Sequence, residues 1–324
     1  MTVTRLPTHL GEYGLHMSDD DMGPKIDDVL QSDDPLLESC RRYLATLSPV
    51  VDAICSEFEM TALTRELVLR CIVKRTQENF GAVVEAASGN YSYMTPLALR
   101  PLCEDLIYGC WLRTLPGVEA DQFISLSTYS DIAKSVEVQS RFLPRMYSEF
   151  STDEGDGAEG TVNGTTEAAQ WESSVSSAGP EINRQLRTLG ARLGWPGGRV
   201  PSTSAMARQC GLTEIYDFFY HGTSKSVHSN LHHMLRMAWG NPGGKFRISS
   251  KVLAPHYRTF SLAYGAYLTE ELFTRIVEPQ FPDECSLIDD KARSIWIAGV
   301  VMILVHNRAL PQLVTKEELM WPRS

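Results

Sequence analysis

Four of the eight histidines in the chain fall within EIYDFFYHGTSKSVHSNLHHMLRMAW, residues 214–239: His221, His228, His232 and His233. Imidazoles at this density can hold a metal, move protons or line a polar seam. His228 and His232 stand four residues apart, a spacing that lets two rings on one helix face share an ion. The helical zinc signature, however, carries a glutamate directly after its first histidine. Here Ser229 follows His228, and no residue is singled out as third ligand. The expectation is therefore no metal and no cofactor. Read as one helix at about 100° per residue, the stretch places Asp217, Ser224, His228 and Leu235 in one sector. Tyr220, Val227 and Leu231 border that sector on its apolar side. A Ser224–His228 hydrolase is poorly supported, because the glycine-flanked nucleophile turn and an oxyanion hole are missing from the sequence. Gly222 interrupts the pattern and marks a kink or a close approach by a neighbouring helix.

A second constellation lies upstream, in LALRPLCEDLIYGCWL. Arg100 and Glu104 stand at i, i+4, where opposite charges meet on a helix. Leu99, Leu102, Cys103, Leu106 and Ile107 surround them with apolar positions, and a charge held among such neighbours needs partners. Tyr216, Ser224 and His228 are the polar groups available on the histidine-rich stretch. A seam of Arg100, Glu104, Tyr216, Tyr220, Ser224 and His228 is the candidate site. As an enzyme, it would use His228 as general acid/base and Arg100 to stabilise phosphate charge.

The elements that must carry these residues are helical. Apolar positions recur at offsets of three and four through PLLESCRRYLATLSPVVDAICSEF, TALTRELVLRCIVKRTQENFGAVVEAA and TPLALRPLCEDLIYGCWLRTLPG. DQFISLSTYSDIAKSVEVQSRFLPRMYSEF continues the pattern with an expected break near Pro144. EINRQLRTLGARLG, TSAMARQCG, SSKVLAPHYRTFSLAYGAYLTEELFTRIV and SLIDDKARSIWIAGVVMILVHNRAL complete the set. Sustained two-residue alternation is missing, so the fold class is all-α, a multi-helix bundle. Residues 1–30 read as a flexible N-terminal arm and 31–150 as the N-terminal helices of the core. Residues 151–180, with six acidic and no basic residues, read as a disordered Gly/Ser-rich insertion. Residues 181–324 read as the helices that complete the same core.

Composition narrows the function. A net charge of −10 over 324 residues argues against broad attraction to a phosphate backbone, though not against a local basic site. TSAMARQCGLTEIYDFF has the outline of a helix-turn-helix, but the following EIYDFFY is acidic and aromatic, so DNA recognition is not expected. The seven cysteines form no C-x-x-C pair, which fits reduced thiols in a cytoplasmic protein. The N-terminus has no apolar core of a signal peptide. The apolar run IWIAGVVMILV, residues 295–305, is too short for a membrane span and reads as a buried core helix.

The order of these motifs resembles a bacterial family of all-helical proteins of unknown function. That family has an Arg-x-x-x-Glu helix, a Trp-Gly turn, a short helix and then a helix with Tyr, Tyr, Ser and His at intervals. The corresponding residues here are Arg100 and Glu104, Trp195, Ala207 and Gly211, then Tyr216, Tyr220, Ser224 and His228. Pro101, directly after Arg100, departs from the pattern. The layout is also similar to the helical nucleotide-binding (HEPN-like) superfamily, many of whose members are ribonucleases in phage defence. Those ribonucleases carry Arg, four to six residues, then His, a spacing missing from this chain. The resemblance implies a binding or effector protein of stress or defence that engages a nucleotide, RNA or a protein partner, a homodimer included. The alternatives are a nuclease using His228 and Arg100, and a structural protein with an inaccessible seam.

Overall fold

The computed structural model describes residues 34–59, 62–89, 91–150, 166–227, 234–240, 245–306 and 310–315. Helices dominate: α1 (Pro35–Ile54), α2 (Arg65–Ser88), α3 (Pro96–Thr114), α4 (Gly117–Phe150), α5 (Thr166–Arg192) and α6 (Thr203–Gln209) come first. A short α7 (Thr213–Ile215) leads into a π-helical turn, Tyr216–Tyr220, and then α8 (His221–Val227). A small antiparallel hairpin, β1 (Ala238–Gly240) with β2 (Phe246–Ile248), precedes α9 (Ala254–Leu272) and a second π-turn, Phe273–Val277. Short α10 (Glu278–Gln280) and α11 (Pro282–Cys285) lead to α12 (Asp290–His306). The fold is the expected all-α one, with the hairpin as a minor addition.

Contacts divide the chain into two compact units, one made of residues up to Phe58, Leu69–Cys110 and residues from Ala207 onward, the other of Glu59–Val68 and Trp111–Met206. In the first unit α1 begins with an N-cap: the Asp34 carboxylate accepts from the Leu37 backbone N–H at 3.2 Å, with Pro35 at the first helical position. Its buried positions, Leu36, Leu37, Cys40, Tyr43, Leu47, Val50, Val51 and Ile54, follow the three-and-four spacing. They pack against α9 and α12. The run at 295–305 supplies buried Ile295, Trp296, Ile297 and Val300 to this core, and among the described residues no helix is long and apolar enough to cross a membrane. Gly299 lets α12 lie directly on Ser39 of α1.

Charge is buried in this core. Arg293 of α12 donates from Nε and Nη2 to both carboxylate oxygens of Glu270 on α9, at 3.0 and 2.9 Å. The Tyr43 hydroxyl donates to Glu270 at 2.6 Å, and Arg293 Nη1 reaches Glu278 at 2.6 Å. Four helices, α1, α9, α10 and α12, are thus tied at one guanidinium–carboxylate pair whose side chains are 7% and 6% exposed.

A C-terminal strap closes the same unit. Tyr264 donates to the Pro311 carbonyl at 2.7 Å, and Arg236 donates to the Tyr257 hydroxyl at 2.8 Å and to the Leu313 carbonyl at 2.5 Å. The Leu313 side chain occupies the space a Cβ on Gly222 would need. Gly222 therefore serves close approach, by the non-helical C-terminal strap and not by the neighbouring helix expected.

The second unit is built on the α4–α5 hairpin and an aromatic cluster. Trp111, Phe123 and Trp195 are buried, with ring centroids 5.3 to 5.6 Å apart. Trp195 turns in because Gly198 adopts φ 65°, while a Cβ on Gly190 would collide with the Gly198 carbonyl and the Trp195 ring. The turn expected at GWPGG is therefore a packing device.

Some expectations fall outside the described residues or need correction. The expected arm at 1–30 and residues 151–165 of the expected insertion lie outside them. Residues 166–180 are helix, the first half of α5; TEAAQWE is rich in helix formers, and further along Gly179 lies beside Ala133 of α4. Helix α4 runs to Phe150 without the break expected at Pro144.

Glu270→Ala should lower the unfolding free energy by about 3–5 kcal/mol, since it leaves Arg293 buried without its main counter-charge. Urea unfolding would measure this. Restoration in a Glu270→Leu, Arg293→Met double variant is the expected companion result.

Candidate functional site

Helix α3 presents Arg100 and Glu104 one turn apart, and the continuous helix accommodates Pro101 in its second turn. Arg100 Nε donates to Glu104 Oε1 at 2.9 Å, and Nη2 donates to the Tyr220 hydroxyl at 3.1 Å. The guanidinium carbon lies 4.6 Å from the Tyr220 ring centroid, within cation–π range. Tyr220 in turn stacks on Tyr216, with centroids 4.7 Å apart and planes 22° from parallel. The result is a column of guanidinium, phenol and phenol. It is half-buried: Arg100 is 18% exposed and Glu104 38%. Both tyrosines are also partly exposed.

The π-turn at Tyr216–Tyr220 corrects the single helix expected over residues 214–239. A π-turn closes hydrogen bonds from i to i+5, so it holds one extra residue. Ser224, beyond the turn, is rotated by about 100° relative to its place in a regular helix. Asp217 and Ser224, expected in one sector, are therefore parted. Asp217 and His221 are exposed. Tyr220, expected at the apolar border, is instead the residue that meets Arg100. The Ser224 hydroxyl is buried and has no hydrogen-bond partner among the described residues. His228, His232 and His233 lie outside the described residues, and the chain turns at Arg236–Met237 into β1. Among the described residues, no group of histidine, cysteine and acidic side chains is arranged to hold a metal.

The electrostatics follow the contacts. The hydrogen bond that Arg100 donates to Glu104 holds the Arg100 pKa above its ordinary value. Burial, then the neighbouring Tyr220, pushes the Tyr216 phenol up. The Cys103 thiol, buried on the same helix, is pushed up to about 12 by burial.

The sequence reading missed a second pair beside this one. Asp105, next to Glu104, is completely buried and accepts from Arg75 of α2 in a two-pronged bond: Nε to Oδ2 at 2.9 Å and Nη2 to Oδ1. Burial raises the Asp105 pKa despite the arginine. The Arg75 side chain is 60% exposed. The available signal was the acidic residue at an otherwise apolar α3 position, between Cys103 and Leu106.

With this geometry in hand, comparison with known proteins adds a family. Residues 66–246, more than half of the chain, match a family of unknown function (DUF5677). The chain belongs to that family. The match runs from the start of α2 to the first residue of β2, and so contains Arg75, Arg100, Glu104, Asp105, Tyr216 and Tyr220. No curated protein and no solved structure matches the chain.

Shared contacts at Arg100 should make this DUF5677 site energetically coupled. Tyr220→Phe alone should cost about 0.5–1.5 kcal/mol for the lost hydroxyl bond. Combined with Glu104→Gln, the two effects should depart from additivity by at least 0.5 kcal/mol. A double-mutant cycle by urea unfolding reads this directly, and additivity would mean that the column is not a unit.

Proposed function

We propose that this DUF5677 protein is a helical binding protein whose Arg100–Tyr220–Tyr216 column engages the base of a nucleotide, free or in RNA. One observation carries the reading: two tyrosines are stacked and half-exposed, with the inner one fixed by Arg100. Proteins that take unpaired bases use aromatic platforms of this kind, and each stacked base contributes about 1–3 kcal/mol. Arg100, itself anchored by Glu104, keeps the platform from collapsing into the core. The net charge of −10 suits a local site better than a long nucleic-acid track.

The resemblance that the order of sequence motifs bears to the HEPN-like superfamily favours the same ligand class, and with it the proposal of a bacterial, cytoplasmic setting in stress or phage defence. The nuclease reading draws no support from the described residues. Its acid/base, His228, lies outside them, and the Ser224 hydroxyl is buried. The reading of a sealed, purely structural seam fits poorly with a Glu104 side chain that is 38% exposed.

Titration of the protein with AMP, GMP, CMP and UMP, and with a short single-stranded RNA, followed by tyrosine fluorescence, tests the proposal. Saturable binding is expected, weakened about 5- to 150-fold by Tyr216→Ala, the equivalent of one lost stacking contact. A wild-type protein that binds none of these ligands at millimolar concentration would retire the proposal.

A further inference from the structure

Arg75 and Asp105 make an unusual ion pair. A pair that serves only packing would gain little by hiding one partner and exposing the other, because burying a carboxylate costs more than an exposed cation returns. Here Asp105 is 0% exposed and the guanidinium it grips is on a side chain that is 60% exposed. Asp105 occupies Nε and Nη2 of Arg75. That leaves the Nη1 edge of a rigidly held guanidinium directed away from the pair. Fixing a long, flexible arginine in advance removes the entropy cost of ordering it when a ligand arrives.

The neighbours on α3 give this cation a context. At about 100° per residue, the order around the helix is Cys103, Arg100, Glu104, Asp105. Tyr220 meets α3 at Arg100, and Tyr216 lies within electrostatic reach of both Arg100 and Cys103. Arg75 meets α3 at Asp105, on the far side of Glu104, and lies within electrostatic reach of that carboxylate. Aromatic platform, carboxylate and guanidinium therefore follow one another across one helix, about 10 Å in width. A ribonucleotide has its base, its ribose diol and its phosphate in the same order. Each group has its chemical complement: stacking for the base, a carboxylate acceptor for the two hydroxyls, and a planar guanidinium for the phosphate.

We infer that the ligand is a ribonucleoside phosphate, with Glu104 accepting from the ribose hydroxyls and Arg75, positioned by Asp105, binding the phosphate. This inference rests on the base-binding reading of the Tyr216–Tyr220 column and adds the ribose and phosphate selectivity. The phosphate comes from a free nucleotide or from the 3′-terminal nucleotide of an RNA strand, the position in a strand that keeps both hydroxyls beside a 5′ phosphate. The two sources share this chemistry and are separated by the test.

The probes are adenosine, AMP, dAMP and a short oligoadenylate RNA, each titrated into the full chain at several salt concentrations. The variants are Arg75→Lys, the Arg75→Gln, Asp105→Asn double variant, which removes the buried charge together with its partner, and Glu104→Gln. The wild type should prefer AMP to adenosine, and AMP to dAMP, by about tenfold each. The double variant should lose the phosphate preference and keep the ribose preference. Its dependence of log affinity on log salt for the RNA should flatten by about 0.7, the value of one phosphate contact on a single strand. Arg75→Lys should recover part of the phosphate preference, because it keeps the charge without the fork. Glu104→Gln should lose the ribose preference and keep the phosphate one. Tighter binding of the RNA than of AMP identifies a strand as the source of the phosphate, and the reverse identifies a free nucleotide. A wild type that binds adenosine, AMP and dAMP equally, or a folded double variant that still prefers AMP, overturns the inference while leaving base binding intact. A wild type that binds no probe removes the base-binding reading itself.

Discussion

Much of the larger unit depends on how one arginine is satisfied. Arg293 enters the core from α12 with its side chain 7% exposed, where an unpaired guanidinium would be prohibitive. Glu270 of α9 answers it with both oxygens, and Tyr43 of α1 fills a remaining lone pair. Apolar packing alone would tolerate some sliding of α1, α9 and α12 past one another. The directional bonds to Glu270 fix their register, and the surrounding apolar contacts then supply the bulk of the stability, about 1.5–3 kcal/mol for each large side chain removed from water. A fixed register for α9 also fixes its aromatic face, where Tyr264 and Phe260 receive Phe218, the residue between Asp217 and the buried Phe219.

The candidate site takes its form from that packing. Phe219 must point into the core, against Tyr264 and Tyr267. Tyr216 and Tyr220, four residues apart, share one face of the turn, and they stack on each other at its margin, where Arg100 reaches Tyr220. π-turns are rare and are found often at functional sites.

The sequence carried the helical class clearly, because apolar positions recur at offsets of three and four through α1, α2 and α3. It also carried the Arg100–Glu104 pair, which is local, and the involvement of the Tyr216 stretch. What it did not carry has specific reasons. A π-turn leaves no mark on composition, so the angles projected beyond Tyr216 were those of the wrong helix. Asp105 was hidden beside Glu104, as part of what looked like an ordinary acidic pair, and its partner lies 30 positions away. The Tyr43–Glu270 bond spans 227 positions, beyond anything periodicity can report. Residues 166–180 are acidic and without a basic residue, like the preceding stretch, yet they are helix, because α4 offers a surface to pack on and composition alone does not reveal a partner.

The span of the Tyr43–Glu270 bond also sets a schedule for synthesis. At about 5–20 residues per second, the 227 positions between the two residues correspond to roughly 10–45 s of translation. Throughout that interval the apolar stripe of α1, from Leu36 to Ile54, has been made while the helices that bury it have not. The unit built on the α4–α5 hairpin draws almost all its residues from one continuous stretch, Trp111–Met206, and can close during the wait. The nascent chain is therefore a finished hairpin unit carrying an exposed, sticky N-terminal helix, the kind of surface that chaperones of the exit site hold until its partners arrive.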